Sequence, residues 1–134
     1  MKTRPAHGLG LVELLVAVAI LAILASLTLP TYSAYIARVR RASGRTALLQ
    51  TAQWMERAAT ATGRYPDPAQ IPPGLLRPAD GYYQLRVEFH GPTFQLLAEP
   101  AGAQAGDACG TLGLSQSGAR TSSHESNADA CWNR

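Results

Sequence analysis

An α+β fold is what this sequence predicts: one long N-terminal α-helix, apolar in its first half and amphipathic in its second, packed on a small antiparallel β-sheet head. Three observations carry the prediction. From Leu9 to Leu29 the only polar side chains are Glu13, Ser26 and Thr28, and a helix of that length rises about 31 Å, the depth of a hydrocarbon core of about 30 Å. Beyond Pro30, Leu48, Ala52, Met55 and Ala59 recur at helical spacing. Further on, "YYQLRVEF" alternates, with Tyr83, Leu85, Val87 and Phe89 facing one way and Gln84, Arg86 and Glu88 the other, which is the pattern of a half-buried strand.

Taken in order, the first element is the apolar helix over 9–29. A cleaved secretory signal is the simplest alternative, and "ASLTLPTYSA" offers a small-residue site. The apolar run is longer than a signal core, however, and passes without a break into helical pattern. Neither a signal nor a plain anchor explains Glu13, a carboxylate that costs on the order of 3 kcal/mol inside a membrane. Pro30 lacks an amide proton and crowds the preceding turn, so a kink is expected there. The amphipathic half then covers 30–62, and Gly63 with the prolines of "RYPDP" stops it. The proline-rich segment 65–80 reads as a surface loop. Two strands, "YYQLRVEF" and "TFQLLAEP", are joined by the turn "HGP", with Phe94 and Leu96 inward; "TLGLSQ" supplies a third, closed by "SGAR". Three or four antiparallel strands laid on the amphipathic helix bury both apolar faces.

Composition narrows the function. The chain has 134 residues, room for one modest domain beside the apolar segment. Its net charge of +3 owes two units to Lys2 and Arg4, leaving near balance elsewhere. All later basic residues are Arg, four of them clustered at Arg38, Arg40, Arg41 and Arg45. Arg38, Arg41 and Arg45 are spaced to share a helix face, with Arg40 off it. If the N-terminus stays cytoplasmic, Cys109 and Cys131 end outside, where disulfides persist. Lys2 and Arg4 favour that orientation, while the Arg cluster pulls against it.

The N-terminal residues carry a resemblance. Gly8 followed by an apolar residue, Glu13 as the fifth residue after that glycine, a long aliphatic helix, and then Pro30, Tyr32 and Tyr35 resemble the class III prepilin signal of type IV pilins. That family usually has Phe, often followed by Thr, after the glycine; here Leu9 and Gly10 stand there. The resemblance implies a leader over 1–8, cleavage by an aspartyl prepilin peptidase between Gly8 and Leu9, and N-methylation of Leu9. It implies that Glu13 sets assembly register by pairing with the Leu9 amine of a neighbouring subunit, two charges each costly alone becoming tolerable together. A carboxylate snorkelling to headgroups is the bland alternative. Pro30 becomes a point where the helix bends or melts on assembly.

The remaining head, 63–134, fits the same reading. A Cys109–Cys131 bridge would be worth about 3 kcal/mol by loop entropy, against two reduced thiols as the alternative. The arrangement resembles the disulfide-bounded C-terminal region of type IV pilins, and "CGTLGLSQSGAR" with "ACW" is similar to PilE-type minor pilins. The expected function is therefore a minor pilin held in the bacterial inner membrane with its head in the periplasm, then drawn into an extracellular filament. Its partners would be other major and minor pilins, the prepilin peptidase and the assembly platform, in support of adhesion, twitching motility or DNA uptake. A type II secretion pseudopilin and a DNA-binding uptake pilin are the alternatives.

No catalytic pattern stands out. HExxH, CxxC, GxSxG and phosphate-loop motifs are absent from the sequence, His90 and His124 fall in a turn and a polar loop, and no enzyme, cofactor or metal is expected. Asp107, Glu125 and Asp129 lack the ordered spacing that calcium requires and read as solvated loop acids. For the candidate contact patch Arg38, Arg41 and Arg45, contacts with neighbouring subunits rank first, a headgroup role next and DNA last.

Overall fold

The computed structural model describes residues 10–124 and 128–133, and over 28–31 the backbone alone. Its elements are α1 (Leu11–Thr62), a 3-10 turn (Pro68–Gln70), α2 (Pro73–Leu76), β1 (Tyr83–His90), β2 (Thr93–Pro100), a second 3-10 turn (Gly102–Gln104), β3 (Leu112–Ser115), β4 (Arg120–Ser122) and α3 (Ala128–Asn133). The chain divides into two compact units, Met1–Ile36 and Ala37–Arg134. Helical assignment of α1 runs through Pro30.

Among its described residues the first unit is helix, and none of those whose side chains are described is buried. Leu11, Val12, Leu14, Leu15, Val16, Val18, Ile20, Leu21, Ile23, Leu24 and Leu27 are all exposed, so its apolar surface needs lipid or another chain to cover it. One stretch of α1 is long and apolar enough to cross a membrane.

The second unit holds the core. β1 to β4 form one antiparallel sheet in sequence order. The register places Tyr83, Leu85 and Val87 on the same side as Leu96 and Ala98 of β2 and Leu112 and Leu114 of β3. Against that side packs the expected stripe of α1: Leu48 and Met55 are fully buried, Ala52 partly, and Ala47 and Thr51 join them. Thr51 would be a costly polar group there, but its hydroxyl donates to the Ala47 carbonyl one turn back at 2.9 Å. The helix ends as the sequence anticipates. Gly63, at φ +77°, takes the left-handed conformation of a helix stop and returns its N–H to Ala59 O at 2.8 Å. Gly91, at φ +62°, opens the two-residue turn between His90 and Thr93.

One expectation is refined and one needs correction. Phe89 takes the expected side of the sheet, opposite Phe94, but is left 37% exposed. It forms the cross-strand pair with Phe94 next to the turn; Phe94 is covered by Tyr65, edge-on at 4.9 Å, and Phe89 is left lining an open groove. The 65–80 segment is not merely a surface loop. Pro68 and Pro73 open short helical turns, where a missing N–H costs nothing. Between them Ile71 is 3% exposed, and Thr51 also reaches Leu75 O at 3.3 Å. The segment therefore contributes to the core. The C-terminal α3, which buries Cys131 and Trp132, has no counterpart in the sequence reading.

Candidate functional site

The processing residues come first. Gly8 and Leu9 lie outside the described residues. Glu13 stands in the first turn of α1, exposed among exposed aliphatics, where a negative charge complements the helix N-terminus. Pro30 is helical, and its side chain lies outside the described set.

The arginine row divides. Arg38 is exposed. Arg40 donates to Ala103 O at 3.1 Å and lays its guanidinium 4.6 Å from the centre of the Tyr82 ring. Arg41 makes a forked contact with Asp107, Nε and Nη2 reaching its oxygens at 2.7–2.9 Å. One turn further, Arg45 donates to the Trp132 carbonyl. Asp107 is thus not a solvated loop acid: its side chain is 1% exposed, that of Arg41 13%, and Cys109 N donates to its second oxygen at 3.3 Å. Glu125 lies outside the described residues, and Asp129 is exposed on α3. Among the described residues no cluster of His, Cys, Asp or Glu is placed to hold a metal.

Arg41 and Arg45 thereby grip the chain on either side of the disulfide, two residues before Cys109 and one after Cys131. The bridge itself is present and buried, with Cα atoms 5.8 Å apart. Ser122 Oγ donates to Cys109 O at 2.7 Å, and the Trp132 indole donates to Thr121 O at 3.0 Å. A helix flank, the last strand and α3 are tied into one corner. Gln104, 3% exposed, braces the neighbouring turn by donating to Ala37 O at 3.1 Å and meeting the Tyr83 hydroxyl at 3.4 Å. Burial is the main cause that pushes the Tyr83 phenol above its ordinary value of 10.0.

Other surface features were not anticipated. Arg57, Arg64, Arg77 and Arg120 are exposed, and Arg120 covers the Trp132 ring at 5.2 Å. A groove of about 570 Å³ lies between the end of α1 and the β1–β2 turn, with Arg64, Asp67 and Phe89 in its wall. A recess of about 250 Å³ separates α1 from the disulfide corner. Pairing of Arg41 with Asp107 had no sequence signal, because the two lie 66 positions apart.

Comparison with known proteins adds independent findings. Residues 30–113, well over half of the chain, match the family model described as "Type IV minor pilin ComP, DNA uptake sequence receptor". Residues 3–29 match the model for the prokaryotic N-terminal methylation motif. Among solved structures, the chain is similar to a type IV pilin from Shewanella oneidensis, with 26% identity over 69% of this chain and 96% of that one and a TM-score of 0.52. It is also similar to the non-core minor pilin PilV of Neisseria meningitidis, with 26% identity over 69% of this chain and 92% of that one and a TM-score of 0.56. No curated protein matches.

Proposed function

The chain belongs to the family of type IV minor pilins described as ComP, DNA uptake sequence receptor, and from that premise we propose that its head receives DNA at the pilus. It is a structural subunit, not an enzyme: a minor pilin that assembles with other pilins and the pilus machinery. Its apolar N-terminal helix suits membrane anchoring before assembly.

The finer steps are part of the proposal. Prepilin peptidase cuts between Gly8 and Leu9 and methylates the new terminus, while the chain sits in the inner membrane with its head in the periplasm. Glu13 pairs with the Leu9 amine of a neighbour as the filament grows, and Pro30 lets the helix bend on the way. The joined cysteines support this topology, since a disulfide persists in an oxidising compartment.

The observation that carries the DNA reading is the family match across the head. Chemistry decides which cations serve it. Arg41 and Arg45 are turned to Asp107 and the Trp132 carbonyl, so the three-arginine face expected from spacing is not available as a unit. The side chains of Arg38, Arg57, Arg64 and Arg77 are exposed and make no hydrogen bond or ion pair among the described residues, and the last three flank the end of α1 and the segment before β1. Phosphate contacts from such residues make binding fall steeply with salt. Titrating the detergent-solubilised full chain with duplex DNA across a salt series tests this. Arg64→Ala and Arg77→Ala should each lower the salt slope by roughly one; no binding at the lowest salt would end the DNA reading and leave the minor pilin intact.

A further inference from the structure

Arg64, one of the exposed cations available to phosphate, stands just past the end of α1 and is not held by the helix. We propose that Tyr65 is a positioning residue of the DNA site: its hydroxyl fixes the backbone from which Arg64 reaches a phosphate. The proposal rests on the reading of the head as a DNA receptor.

The local chain shows why a brace is needed. α1 stops at Thr62, and Gly63 follows at φ +77°, where the absence of a side chain leaves the backbone many other conformations. The Arg64 side chain is exposed and lines both the groove of about 570 Å³ and a second one of about 240 Å³. On meeting a phosphate such a side chain loses rotamer freedom, and it would lose backbone freedom as well if its segment were loose. Two bonds already limit the segment: Gly63 N donates to Ala59 O at 2.8 Å, and the Thr62 hydroxyl donates to Arg64 O at 2.8 Å.

Tyr65 adds the link to the rest of the head. Its ring meets Phe94 edge-on at 4.9 Å, and Phe94 is 2% exposed. Its hydroxyl is used in both directions, donating to Glu56 Oε1 at 2.9 Å and accepting from Gln116 Nε2. Gln116 is itself fixed, because its backbone N–H donates to Phe94 O at 3.0 Å and the turn around it is closed by Gly118 N to Ser115 O at 2.9 Å. The segment after Gly63 is thereby tied to α1 on one side and to the β3–β4 turn on the other. Partial burial first, then the Glu56 carboxylate, pushes the phenol above 10.0, so it stays a donor at neutral pH. Neither bond of the hydroxyl is buried, and Tyr65→Phe keeps the ring that packs on Phe94. Loss of the hydroxyl should therefore be felt by Arg64 more than by the core.

Duplex DNA of one sequence is titrated into the detergent-solubilised full chain across a salt series, for the wild type, Tyr65→Phe, Arg64→Ala and the double variant. Tyr65→Phe should weaken binding at the lowest salt by at least about threefold and bring the salt slope toward that of Arg64→Ala. In the Arg64→Ala background the same change should alter affinity by less than about 1.5-fold, because nothing remains to position. In an Arg57→Ala background, whose missing cation belongs to α1 itself, the full effect should return. Gln116→Ala removes the other half of the brace and should repeat the pattern. The thermal midpoint of Tyr65→Phe should stay within about 5 °C of the wild type; if it falls further, Gln116→Ala decides. Equal losses with and without Arg64 would overturn the proposal, since a hydroxyl that touches DNA directly, or a general loosening of the head, acts whatever stands at position 64. Unchanged binding in both Tyr65→Phe and Gln116→Ala would overturn it too. A wild type that binds no DNA at the lowest salt ends the DNA reading and this proposal with it, an outcome told apart because it needs no variant.

Discussion

Arg41 and Asp107 form an ion pair whose acid is almost wholly shut off from water. Such a pair contributes little relative to two apolar residues, but its halves cannot be separated cheaply, because one charge is left buried alone. Asp107→Ala and Arg41→Ala should each lower unfolding free energy by about 3–5 kcal/mol, measured by urea denaturation of the folded head in the full chain. The double variant Arg41→Met with Asp107→Leu should cost clearly less than the sum; an additive result would show that the pair is not coupled. A second residue gives a pH dependence. Tyr83 is 1% exposed and its phenol is held above 10.0, chiefly by burial. A group whose folded value is raised favours folding below its unfolded value and loses that contribution as pH climbs through the folded one. The head should therefore keep this part of its stability up to about pH 10 and lose it above, with Tyr83→Phe flattening the alkaline limb of the stability curve. An unchanged limb in Tyr83→Phe would show that other groups set it.

Elements differ in how far local pattern reveals them. Strands β1, β2 and β3 were legible because alternation has period two and leaves few options, and the buried stripe of α1 was legible because Leu48, Ala52 and Met55 repeat with the helix. The same rule gave Phe89 its side but not its exposure, since alternation says which side a residue takes and not whether anything covers it there. Ile71 was hidden among prolines, whose turns brought it inward. Asp107 looked solvated because its partner lies in a distant element, and α3 is too short for its periodicity to stand out. Gly44 illustrates the limit from the other direction. Inside a helix Gly→Ala normally gains up to about 1 kcal/mol. Here a Cβ would lie 2.8 Å from Tyr83 Cδ2 in the core, so Gly44→Ala should instead destabilise by about 1–3 kcal/mol. A stabilised Gly44→Ala in thermal unfolding would mean that Tyr83 shifts freely. Where helix and sheet meet at this corner, the Cys109–Cys131 bridge also matters. Replacing both cysteines by Ser should cost about 3 kcal/mol by loop entropy, read as a lower urea midpoint.

For the whole molecule, sequence pattern and family match agree on one division of labour. A head with its own core is preceded on the chain by a helical unit whose aliphatic side chains, from Leu11 to Leu27, are exposed. Lipid can satisfy that surface before assembly and other pilin helices after it, because both are apolar. Glu13 is the residue that distinguishes these two environments. In lipid it is a cost, so removing it should leave membrane insertion intact or improved. In a filament, under the proposed pairing, it neutralises the methylated amine of a neighbouring Leu9, and its removal strands that amine in an apolar core. Glu13→Gln isolates the charge, since size and hydrogen bonding are nearly kept. If pairing sets the register, Glu13→Gln and Glu13→Ala should both be cleaved and found in membranes at normal levels, yet fall at least tenfold in sheared filaments. If the carboxylate only snorkels to headgroups, neutral Gln should serve as well as Glu, and filament incorporation should not change. Quantitative mass spectrometry of the N-terminal peptide in membranes and filaments separates the two, because it reads cleavage and incorporation from the same molecule.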